Sequence, residues 1–147
     1  MLRNKINNLH KGVDAMYKAS VDLQRGMGVV KSSNYLARFI SAAGYKGIYI
    51  VDKEPIDSGI WAAMEIRPDY STTYETVSAG ECCVLVPYVK GEQFATDQVS
   101  GTLEAGDYVQ WGTDGLAVAT EDETPFICRG TELDSGKTTL HIIEVVQ

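Results

Sequence analysis

The sequence predicts a mainly β protein: a small antiparallel β-barrel or sandwich with an extended N-terminal arm and at most one short helix. Three observations carry that expectation. After the first dozen residues, no window of about eleven repeats apolar residues at i, i+3, i+4 and i+7 behind a credible cap. Instead, about ten short runs rich in β-branched and aromatic residues follow one another. Each is bounded by Gly, Pro, Asp, Asn or Ser, and the spacing suits strands that fold back on each other.

Taken in order, "MLRNKINNLHKG" (residues 1–12) is polar and forms the arm, and residues 13–147 form a single β-rich domain. In the arm, Leu2, Ile6 and Leu9 are candidate apolar anchors, with Arg3, Lys5 and Lys11 pairing with acids on a partner. Strands are predicted at "GMGVVK" (26–31), "KGIYIVDK" (46–53), "GIWAAMEI" (59–66), "TTYETV" (72–77) and "ECCVLVPY" (81–88). Further strands follow at "EQFATD" (92–97), "DYVQWGT" (107–113), "LAVAT" (116–120), "FICRGTEL" (126–133) and "TTLHIIEVVQ" (138–147). "NYLARFISAAGY" (34–45) fits either a short helix closed by Gly44 or a strand, and the sequence leaves both open.

The most legible stretch is "LEAGDYVQWGTDGLAVAT" (103–120). Asp114-Gly115 is expected to supply the positive φ angles of a tight two-residue hairpin. Val109 and Trp111 then face one side, Tyr108 and Gln110 the other. "VSAGE" (77–81) repeats the shape of "LEAGD", so one turn device is used twice, with its acid exposed at the start of the next strand.

Composition bounds the function. The chain has 147 residues, 44% hydrophobic and 22% charged, as in an ordinary globular protein. No apolar run approaches the roughly 20 residues of a membrane span, and the leader lacks a secretory signal's apolar stretch, so a cytoplasmic product, or something assembled there, is expected. Residues 1–46 hold eight bases against two acids (+6), and residues 47–147 hold five bases against 18 acids (−13), summing to −7. That division points to an end that attaches and an end that stays solvated. Cys82 and Cys83 are neighbours that point to opposite faces in a strand, so a disulfide framework is not expected.

Catalytic readings find little material. The chain has two histidines, His10 in the leader and His141 in the last strand, and no zinc-like Cys/His spacing. "RGMGVV" lacks the third glycine of a phosphate cradle. The acids occupy turns, where solvation is the ordinary reading, and the Asp114-Gly115 tip carries no lysine for a carrier-domain modification. The overall acidity argues against direct binding of nucleic acid. No enzyme activity, cofactor or metal is therefore expected.

From about Gly26 onward, the order of segments resembles auxiliary capsid proteins of tailed phages, the decoration or cement proteins of the head. The resemblance lies in "GMGVVK", "KGIYIVDKEPIDSGI", the acidic aromatic link "PDYSTTYETV", "AGECCVLVPYVKGEQFATDQ", "LEAGDYVQWGTDG" and "FICRGTELDSGKTTLHIIEVV". It implies a non-enzymatic virion structural protein that binds the outside of the major capsid protein lattice and stabilises the head. It also implies a homo-oligomer on the capsid surface, a trimer among its forms, with no membrane partner. Trp61 joins the arm residues as an interface candidate. The alternative is a carbohydrate- or host-surface-binding β-sandwich of a tail or fibre, with Tyr70, Tyr74 and Tyr88 as an aromatic platform.

Overall fold

The structure, a computed structural model, describes residues 1–6, 14–52, 75–134 and 138–147. The fold is mainly β, as the sequence predicts. Among the described residues the strands, numbered in chain order, are β1 (Leu2–Ile6), β2 (Lys18–Ala19), β3 (Leu23–Gln24), β4 (Gly28–Lys31), β5 (Leu36–Arg38), β6 (Tyr49–Asp52) and β7 (Thr76–Val77). They continue as β8 (Val84–Val86), β9 (Gln93–Thr96), β10 (Tyr108–Trp111), β11 (Ala117–Thr120), β12 (Phe126–Asp134) and β13 (Thr138–Val145). The predicted strand at 59–66 lies outside the described residues. The ambiguous "NYLARFISAAGY" contributes β5, so its alternation prevails over its helical spacing.

Two sheets build the body. One has the order β1-β9-β13-β12-β10-β11 and the other β2-β5-β4-β6-β8, while β3 and β7 form a small ribbon. The pairings are antiparallel except β2 with β5. Within the five-stranded sheet, β6 is buried on both faces. Within β6, Ile50 joins a core with Leu2, Phe94, Val109, Trp111, Phe126 and Ile143. The next residue, Val51, joins a second core with Leu23, Val29, Ala37, Val77 and Leu85. Adjacent residues of a strand point to opposite faces, and here both directions lead into apolar packing.

The hairpin at 103–120 does staple the sheets, but its turn differs from the prediction. Trp111 pairs with Ala117, and the Gly112 N–H donates to the Leu116 carbonyl at 2.9 Å, leaving Thr113, Asp114 and Gly115 as a three-residue loop. Only Gly115 adopts a positive φ, at +77°; Asp114 does not. The Gly115 N–H donates back to the Gly112 carbonyl at 3.0 Å, which makes a turn closed by a glycine bulge. Gly115 also gives its carbonyl to the Gly28 N–H at 2.9 Å, tying the loop to the second sheet. At the end of β10, the backbone of Trp111 exchanges two hydrogen bonds with Gly44, at 2.7 and 3.0 Å.

Among the described residues the repeated turn occurs four times, two more than the sequence announces. In Ser78–Glu81, Val89–Glu92 and Glu104–Asp107, the last N–H donates to the first carbonyl over 3.0–3.2 Å, with a positive-φ glycine third. The closing acid does not simply face water. Its carboxylate accepts from the first residue's N–H, at 2.9, 2.8 and 2.8 Å respectively. Gln24–Met27 is the fourth copy, with the Met27 sulfur in the acid's place at 3.3 Å from the Gln24 N–H. In every copy the glycine N–H and the following carbonyl bond one residue of a neighbouring strand: Val51, Ala19, Val145 and Cys128 in chain order of the turns.

Candidate binding surfaces

The leader is not a free arm over its first residues. The edge of β9 offers unpaired backbone groups, and residues 2–6 pair along it as β1. Leu2 is buried in the first core, so it serves the fold and is not available as an anchor for a partner. The acids expected on a partner are found at home. Arg3 pairs with Asp134 at 3.1 Å, and Lys5 pairs with Glu132. Ile6 stays exposed at 53%. Leu9, Lys11 and Trp61 lie outside the described residues.

A second charged cluster sits beneath the leader. The Met1 ammonium donates to Asp97 at 2.5 Å and to the Arg25 carbonyl at 3.1 Å, and lies 3.5 Å from the Glu75 carboxylate. Arg25 donates to Asp52 at 2.5 Å and approaches Glu75 at 3.7 Å. Glu75 is buried among these cations, which is the condition under which a buried carboxylate is tolerated. The cluster joins the two parts of the charge division, with Met1 and Arg25 from the first and Asp52, Glu75 and Asp97 from the second.

Among the described residues, no catalytic set assembles around the sequence candidates. His141 stands opposite Thr131 and Thr96, whereas Cys128 stands opposite Ile143 and donates its thiol to the Gly130 carbonyl at 3.7 Å. All three thiols are free; Cys82 is exposed, Cys83 and Cys128 are buried. Burial pushes the Cys83 thiol up to about 11, with Cys82 and Asp14 adding to it. Among the described residues, no three His, Cys, Asp or Glu side chains gather to hold a metal ion. None of these residues forms a helix long and apolar enough to cross a membrane.

Among the described residues, two surfaces stand out. The first is a groove of about 380 Å³ between the two sheets' ends. Tyr45, Ile48, Tyr88, Pro125, Phe126 and Val145 are among its lining residues, and among the described residues Lys46 is the one charged side chain there. Tyr88 stacks on Phe94 with ring centres 4.4 Å apart. Burial, then the charges of Asp52 and Glu92, raises its hydroxyl pKa, so it remains a neutral hydrogen-bonding group. Of the aromatic platform expected from sequence, Tyr88 is thus placed in a groove, while Tyr70 and Tyr74 lie outside the described residues.

The second surface is the loop joining β4 to β5. Its register matches the Gly115 loop: the Ser32 N–H donates to the Leu36 carbonyl at 2.9 Å, leaving Ser33, Asn34 and Tyr35 between. Tyr35 occupies the place of Gly115, with φ +53°, a conformation costing a side chain about 1–2 kcal/mol. Its ring lies 5.7 Å from that of Tyr17 and is 60% exposed; Met16, next to Tyr17 along the chain, is 71% exposed. Lys31 reaches beneath, pairing with Asp14 at 2.8 Å and lying over the Tyr17 and Tyr49 rings. Sequence reasoning missed this site, because "SSNY" reads as an ordinary polar turn and the identity of its positive-φ residue is invisible.

Comparison with known proteins adds no relative: no family model, no curated protein and no solved structure matches the chain.

Proposed function

We propose that the protein is a non-enzymatic virion structural protein that binds the outside of a major capsid protein lattice and stabilises the head. The observation that carries the adhesive part of this reading is the make-up of the groove and the β4–β5 loop. Both present aromatic and aliphatic side chains, and neither brings together the acid, base and nucleophile that a hydrolytic site requires. The capsid as partner rests on the segment-by-segment resemblance to decoration proteins. Mass spectrometry of purified particles tests it directly. The chain is expected at a copy number proportional to that of the capsid protein; particles without it would end this reading.

A second reading has one observation in its favour. A groove lined by Tyr45, Tyr88 and Phe126 offers ring faces on which a sugar can stack. A carbohydrate- or host-surface-binding module of a tail or fibre would then show glycan affinity that Tyr88→Ala removes.

A further inference from the structure

We propose that the β4–β5 loop is a docking tip that seats Tyr35 and Met16 in an apolar recess of an acid-rimmed protein surface. This rests on the capsid-binding reading and describes more closely the partner surface it requires. The first argument compares two loops of one chain. Both have the same register and a positive φ at the third loop position. Where that position faces inward, it is Gly115, and a Cβ there would come 2.6 Å from the Phe39 ring. Where it faces outward, it is Tyr35, whose only ring contact among the described residues is Tyr17. Packing therefore explains the glycine but not the tyrosine, and a strained, exposed side chain is what a binding contact leaves in an unbound molecule.

The second argument is charge. Lys18 donates its backbone N–H to the Tyr35 carbonyl at 2.9 Å and stands opposite Leu36 in register. Ala19 and Ala37 are buried, so Lys18, Leu36 and Arg38 share the other face. Among the described residues, the exposed Lys18 and Arg38 have no acid within ion-pairing distance, whereas Arg3, Lys5, Arg25 and Lys31 are all paired. Two unpaired cations beside an apolar knob call for acids around an apolar recess. Tyr, Met and Arg are the side chains enriched at the centres of protein interfaces. Nucleic acid fits poorly, since it needs a longer basic track than this acidic chain presents.

The test uses the full chain and particles lacking it. Tyr35→Gly and Tyr35→Asn suit the positive φ, so both variants should melt at or above the wild-type temperature. Their retention on particles should nevertheless fall by about tenfold or more, while Tyr35→Phe stays close to wild type. Charge reversal at Lys18 and Arg38 should also weaken retention, most strongly at low salt. Wild-type retention with equal retention of folded Tyr35→Gly overturns the tip alone; no wild-type retention overturns the capsid reading with it. If the wild type self-associates without particles and Tyr35→Gly abolishes that, the occupant is a second copy and the proposal fails.

Discussion

Gly28 shows how much of this fold rests on single side chains. A Cβ there would lie 2.2 Å from Cδ1 of Trp111, so the indole packs directly on the β4 backbone. The backbone at Gly28 is ordinary strand, so Gly28→Ala is destabilising through overpacking alone, by about 1–3 kcal/mol. Gly47→Ala is the control: its Cβ would meet nothing within 4 Å, and only the positive φ of +68° resists it. Urea unfolding of both variants should rank Gly28→Ala as the more damaging, and the reverse order would contradict the contact with Trp111. The thiols give a second check at this scale. Native protein treated with an alkylating reagent near pH 8 should be modified at exposed Cys82 alone, with buried Cys83 and Cys128 reacting after unfolding. Modification of two or three thiols in the native state would contradict that burial. That Cys82 and Cys83 point opposite ways was legible in the sequence; that Cys82 is exposed was not. What stands across from Gly28 was not, because that partner lies far along the chain.

At the scale of elements, most described strands from β4 onward were legible, β1 to β3 were not, and the connections were legible only in part. Alternating apolar residues define β10 through β13 in the sequence nearly as they stand, because a half-buried strand imposes period two on its side chains. The Asp114-Gly115 turn was visible as a reversal, but its length was not, since Asp-Gly serves both two- and three-residue loops. Likewise "SAGE" and "EAGD" announce two copies of one turn, whereas "VKGE" hides a third behind a lysine in second place and "QRGM" a fourth behind an arginine and a closing methionine. The closing side chain is the shared physical device. Asp107→Ala should lower stability by about 1 kcal/mol through loss of the bond from the Glu104 N–H. Asp107→Asn keeps an acceptor oxygen and should retain most of it. Equal losses in both variants, measured by urea unfolding, would show that the negative charge and not the hydrogen bond matters.

For the molecule as a whole, the charge division in sequence is partly erased in space. Of the eight bases in residues 1–46, Arg3, Lys5 and Arg25 pair with acids from the second part, and Lys31 pairs with Asp14. Among the described residues, Lys18, Arg38 and Lys46 keep exposed charge, so the positive charge left over from internal pairing sits at a few positions and not along a basic third of the chain. The internal pairs also set the response to acid. The Lys31 ammonium beside Asp14, helped by the Met16 N–H, holds that carboxyl below its usual range. Arg129, then Gln93, does the same for Glu144. A carboxyl whose pKa is lower folded than unfolded binds its proton first in the unfolded chain, so protonation favours unfolding. Its stabilisation is complete above the ordinary carboxylate pKa of about 4 and is lost as pH falls through the folded value. Urea unfolding of the wild type at pH 3–7 should therefore show stability falling below about pH 5. The Asp14→Asn/Glu144→Gln double variant should start lower at pH 7 and fall less steeply over the same interval. Parallel curves for the two proteins would mean that other carboxylates govern acid unfolding and that these two pairs are bystanders.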